Sequence, residues 1–152
     1  MTQLNTFFKE IFQYQHHFNQ LLADFFIEHE DRLSERTPKL FSHCINAHRV
    51  WNARIQKEPT GTIDEVHSYL RIKELDNVNL QNTLNILDKS DLNEVLTYTN
   101  LKGDHFENSL RDVLFQVANH HTHHRGQLIS DIRQQGMVPP ATDYILYKRF
   151  KS

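Results

Sequence analysis

A rhythm of apolar residues near the start of the chain most constrains what it can fold into. Leu4, Phe8, Ile11, Phe18, Leu22 and Phe25 recur at alternating steps of three and four, with Gln15 in the one polar gap. That spacing places them along one side of an α-helix of about seven turns, a stripe that has to be buried against other helices. Phe7, Phe12 and Phe26 widen the stripe; core packing accounts for them better than a cofactor pocket does.

The remaining chain reads the same way, because Gly and Pro are scarce (4 of each in 152 residues) and fall between apolar-periodic stretches. A second helix is expected to start at Thr37-Pro38, a hydroxyl N-cap followed by proline at the first helical position. Its Leu40, Cys44, Ala47, Trp51 and Ile55 share a face, and it stops before the turn signal Glu58-Pro59-Thr60-Gly61. A third helix covers Tyr69 to Asp88, with Leu75, Val78, Leu84 and Leu87 read as inward-facing. The pattern then changes. Val95-Leu96-Thr97-Tyr98-Thr99 is β-branched and aromatic, and Lys102-Gly103-Asp104 offers a turn, so residues 94–107 read as a short hairpin. The last long helix opens at Ser109, with Asp112 three residues on as a variant capping box, and ends at Gly136. It carries Leu110, Val113, Leu114, Val117, Leu128, Ile129 and Ile132. Pro139-Pro140 blocks continuation, and residues 142–150 form a short terminal helix packed back on the others. The expected fold is all-α: a four-helix bundle with a hairpin before its last long helix, one domain over residues 1–152.

Composition narrows the function classes. With 17 Lys+Arg against 19 Asp+Glu, the net charge of -2 shows no broad basic face, which argues against nucleic acid as a partner. No stretch reaches the ~20 apolar residues of a membrane span. The start MTQLNTFFKEIFQYQHHF has no basic opening and no unbroken apolar run, and the single Cys44 excludes an intrachain disulfide. A cytoplasmic location is the expectation. No Gly-rich phosphate loop is present. Cys44 lies on the apolar stripe, one residue from His43 and therefore about 100° around the helix from it, so it packs instead of acting as a nucleophile. Ser42 and Ser109 have no Ser-His-acid arrangement, and the basic tail at Lys148 and Arg149 is a solvated helix end.

Histidine is the exception to this ordinary composition. There are 11, four of them in Asn119-His120-His121-Thr122-His123-His124-Arg125-Gly126-Gln127, inside the last long helix. His120 and His124, four residues apart, sit one turn apart on one face and can present two imidazoles to one ion. A third ligand must come from another helix, and the second helix offers His43 and His48. His48 lies nearer the centre of that helix's apolar stripe and His43 on its edge; periodicity does not choose between them. Three neutral imidazoles with an open position suit a catalytic ion of the Zn²⁺ type. His121 falls near the middle of the fourth helix's apolar stripe and reads as a packed core histidine, and His123 as solvent-exposed. His16, His17, His29, His67 and His105 read as surface or satisfied half-buried residues.

These residues carry a resemblance. Leu40-Phe41-Ser42-His43-Cys44-Ile45-Asn46-Ala47-His48-Arg49-Val50-Trp51, the stretch 119–127 and the tail Pro139-Pro140-Ala141-Thr142-Asp143-Tyr144 are similar to those of the DinB/YfiT-like family. The resemblance implies a four-helix bundle of up-up-down-down type, commonly dimeric, with one divalent metal (Zn or Ni) per chain. It places the first ligand on His43 and the others on His120 and His124. It implies that His48, His121, Arg125 and Gln127 stand behind the ligands or line the pocket. The open position would hold either water, in a metal-dependent hydrolase, or a low-molecular-weight thiol, in a thiol S-transferase acting on a small-molecule substrate. A non-enzymatic, stress-induced protein with a structural metal is the competing implication. The aromatic-rich first helix is the expected homodimer face.

Overall fold

The computed structural model of the protein describes residues 2–151. Helix α1 spans Gln3–Glu28, α2 Arg36–Gln56, α3 Tyr69–Lys89, α4 Leu110–Gln134 and α5 Tyr144–Lys151. Strands β1 (Val95–Thr99) and β2 (His105–Ser109) pair antiparallel in register Val95 opposite Ser109, between α3 and α4. The molecule is thus mostly helical, with a small two-stranded sheet, as the periodicity indicates. No helix is long and apolar enough to cross a membrane among the described residues.

The four long helices pack in pairs: α1 on α3 and α4, α2 on α3 and α4. Side-chain pairings give their directions. Asn5 Nδ2 donates to Leu87 O (2.7 Å) and Gln20 Nε2 to Lys73 O (3.1 Å), while Lys9 pairs with Asp88 and Lys73 with Asp24, so α1 and α3 are antiparallel. Along α1 and α4, Phe8 and Phe12 share a cluster with Leu110 and Leu114, and Phe26 shares one with Leu128 and Ile132, so these helices are parallel. Arg36 on Asp131 (2.8 Å) and His43 on His120 make α2 antiparallel to α4. The helices therefore run up, down, down, up, which corrects the up-up-down-down order that the resemblance implies.

Chain lengths explain the correction. The link 29–35 reaches about 25 Å fully extended, too short to run back beside α1, which is about 39 Å long, so α2 must reverse. The link 57–68 reaches about 40 Å, enough to return along α2 and leave α3 parallel to it. It is tied down on the way. Arg49 donates to Thr62 O (2.8 Å), Asn46 Nδ2 to Ile63 O and Glu65 O (3.1 and 2.8 Å), and the His67 N–H to Ser42 Oγ (2.9 Å).

Three local expectations change. The residue before α2 is Glu35, already at φ -61° and ψ -20°, and makes no side-chain cap; Thr37 is buried inside the first turn, its hydroxyl 3.5 Å from Ser34. On α3, Val78 is 55% exposed and Leu84 half-buried, while Ile72, Asp76, Asn79, Thr83 and Ile86 face inward with Leu75 and Leu87. On α1, Leu4 and Phe7 are exposed. The start of α4 follows its sequence signal, since Ser109 Oγ accepts from the Asp112 N–H at 3.2 Å. The tail also packs back as expected: Tyr14 OH donates to Thr142 O (2.6 Å) and its ring meets Tyr144 and Tyr147.

The core has two apolar clusters. One gathers Phe26, Phe41, Ile45, Ile72, Leu128 and Ile132; the other gathers Phe8, Phe12, Leu87, Leu110, Leu114 and Val117. Between their levels lies a buried polar layer that includes Gln15, Asn19, His48, Asp76, Asn79, Thr83, His121 and Arg125.

Candidate metal centre

The antiparallel pairing of α2 with α4 brings His43 opposite the His120/His124 edge. One ring nitrogen from each of the three lies within 4.8 Å of the other two, and all three residues are half-buried. Ring centroids are 5.3 Å apart for His43 and His120, 4.9 Å for His43 and His124, and 4.3 Å for His120 and His124.

Hydrogen bonds and burial set the protonation states. His124 Nδ1 is 2.7 Å from Gln127 Oε1, an oxygen that can only accept, so Nδ1 carries the proton and Nε2 keeps a lone pair. That Nε2 points at His120 Nε2, 2.9 Å away. Burial lowers the His43 pKa, helped by the nearby His124 and opposed by the Asp64 carboxylate. His120 is lowered to about 4, by burial first and then by His124, His43 and His123. Neither imidazole therefore takes up a proton readily near neutrality. Three converging imidazole nitrogens are the donor set that an ion such as Zn²⁺ or Ni²⁺ requires, the ion taking the place of the proton between His120 and His124, so the residues present fit the metal.

One family model, that of the DinB family, matches residues 2–151, essentially the whole chain. The chain belongs to the DinB family. No curated protein matches it.

In this DinB family protein the four residues expected around the ligands differ in what they touch. Gln127 bonds a ring of the triad. His48 is buried in the core: its Nε2 is 2.8 Å from Thr83 Oγ1, and its ring meets Phe12 and His121. Thr83 gives its own proton to Asn52 Oδ1 (3.1 Å), so His48 Nε2 is the donor of that pair. His121 is buried with Nε2 3.0 Å from Asn19 Nδ2. Arg125, 4% exposed, turns toward α1, donating to Gln15 Oε1 (2.5 Å) and Tyr14 OH (2.8 Å) over the Tyr14 ring. His123 is exposed, and His16, His29, His67 and His105 each have a hydrogen-bond partner. Cys44 is buried, and burial pushes its thiol pKa up, so no thiolate forms there.

Sequence reasoning missed the polar layer behind these residues. Asp76 accepts from Asn19 Nδ2 (2.7 Å), Gln20 Nε2 (2.8 Å) and His16 Nδ1 (2.6 Å), and Asn19 passes the contact on to His121 beside the ligands. The available signal was the polar spacing Asp76, Asn79, Thr83 at helical steps on α3. Asp64 was missed as well. It sits on the extended link, where no periodicity applies, and becomes visible through its charge beside His43.

Proposed function

We propose that this DinB family protein is a metal-dependent hydrolase. On this reading it is a four-helix bundle that holds one divalent ion, zinc or nickel, on His43, His120 and His124. The observation that supports it is the convergence of three half-buried imidazoles from α2 and α4, two of which, His43 and His120, have their pKa lowered by burial. An ion on three neutral ligands keeps its full charge and supplies Lewis-acid and water-activating chemistry near neutral pH. Gln127 Oε1 holds the proton on His124 Nδ1 and so keeps Nε2 aimed inward. Burial keeps His43 and His120 unprotonated, and Asp64 places negative charge at the edge of the site beside His43. The reading includes a small-molecule substrate, a cytoplasmic location, with which the one buried thiol agrees, and a homodimer, for which the exposed Phe7 and Leu4 of α1 speak.

Elemental analysis of the purified protein beside His43→Ala and His120→Ala tests the proposal. The expected result is one Zn or Ni per chain, lost in both variants with helicity kept. Activity screens on esters and on thiol–electrophile pairs then separate hydrolase from thiol S-transferase. Loss of helicity together with the metal assigns it a structural role, and failure to take up metal on titration overturns the reading.

A further inference from the structure

Eleven residues along α2 from His43, three turns or about 16 Å on and on the same face, stands Arg54. Between them runs a cleft of about 260 Å³ lined by Ala47, Val50, Trp51, Arg54, Ile63 and Leu101. It begins one helical turn from His43, and its lining also includes Asp64, the carboxylate whose charge acts on that ligand. The link 60–64 forms one wall, and the hairpin turn contributes Leu101, 88% exposed at the rim.

Arg54 is the polar group at the far end. Its guanidinium lies 4.6 Å from the Trp51 ring centroid and 5.3 Å from that of Tyr98, so aromatic faces hold it in place. Its protein acceptor is Thr99 O at 3.5 Å, a weak contact that leaves most of its five donors unused. Arg36, Arg71 and Arg111 each reach a carboxylate, whereas no carboxylate pairs with Arg54 among the described residues. A held, half-buried cation with its fork free, at the end of an apolar trough, is preorganised for a planar anion.

We propose that this cleft binds the non-reacting end of the substrate, a small organic acid whose apolar body lies along Val50 and Trp51 and whose carboxylate pairs with Arg54. The reacting end then points along α2 toward His43, an orientation that rests on the metal-centre reading above. Acid binding itself does not require the metal.

Trp51 is the only tryptophan in the chain, so its fluorescence reports on this cleft directly. The experiment titrates metal-free protein with phenylacetate, its neutral analogue phenylacetamide, and phenyl phosphate. Phenylacetate is expected to give a saturable change, with phenylacetamide weaker. Arg54→Gln should weaken phenylacetate at least tenfold and leave phenylacetamide unchanged. Leu101→Glu, at an exposed rim position that cannot disturb the core, should weaken the acid alone by like-charge repulsion. No saturable change through the millimolar range, equal binding of acid and amide, or an unaffected Arg54→Gln overturns the proposal; tighter binding of phenyl phosphate overturns the carboxylate assignment. Metal uptake measured by adding Zn²⁺ or Ni²⁺ to the same preparations keeps the two readings apart. Acid binding without metal uptake sinks the catalytic centre and spares the cleft, and metal uptake without acid binding does the reverse.

Discussion

His43 and His48 stand five residues apart on α2, and burial decides what each can do. His48 is enclosed by Phe12, Thr83 and His121, and its pKa is lowered to about 4, chiefly by burial. An unfolded histidine takes up its proton near 6.5, so between pH 6.5 and 4 the unfolded chain binds more protons than the folded one. The stabilisation is fully present above pH 6.5 and is lost as the pH falls toward 4. For His48 it amounts to roughly 3 kcal/mol, and His121, likewise lowered by burial, adds in the same direction. Urea unfolding of metal-free protein from pH 7 to 4 should show this steep loss, and His48→Gln should flatten it by about one proton. Gln127→Ala should weaken metal binding by about 10- to 100-fold in a chelator competition, because the His124 ring loses its orienting bond. Sequence periodicity placed His48 nearer the apolar centre and His43 on an edge, as the structure has them. It could not show which of them met His120 and His124, since that depends on helix directions that no local spacing encodes.

At the level of single elements, signals that depend on local chemistry were legible and those that depend on buried polar pairing were not. The hairpin and the Ser109 cap both follow their residues, because turn and cap preferences act within a few positions. The inward face of α3 was misread at Val78: counting apolar residues alone passes over Asp76, Asn79 and Thr83, which are buried because partners on α1 and α2 satisfy them. The Thr37-Pro38 signal missed the start of α2 because the chain is already helical at Glu35. Two substitutions test these ends. Ser109→Ala should cost about 1 kcal/mol by removing the acceptor for the Asp112 N–H, read as a lower urea midpoint. Lys57 closes α2 at φ 58° without being glycine, so Lys57→Gly should raise the midpoint, by at most about 1 kcal/mol.

Across the whole molecule, the polar layer joins all four long helices where the apolar clusters leave off. Asp76 accepts three hydrogen bonds in it, from His16, Asn19 and Gln20. Removing a buried acceptor strands its donors, so Asp76→Ala should cost about 3 kcal/mol or more, whereas Asp24→Ala, at an exposed pair with Lys73, should cost well under 1 kcal/mol. Denaturation midpoints of the two variants measured side by side check the contrast. The α2–α4 pairing also orders events during synthesis. His43 and His120 are separated by about half the chain. At the usual pace of translation, a growing polypeptide carries His43 without its α4 partners for roughly 4–15 s before the codon of His120 is read. During that interval an imidazole without companions has no means of retaining an ion. A metal held by all three histidines would therefore load late, after the ribosome has passed His124.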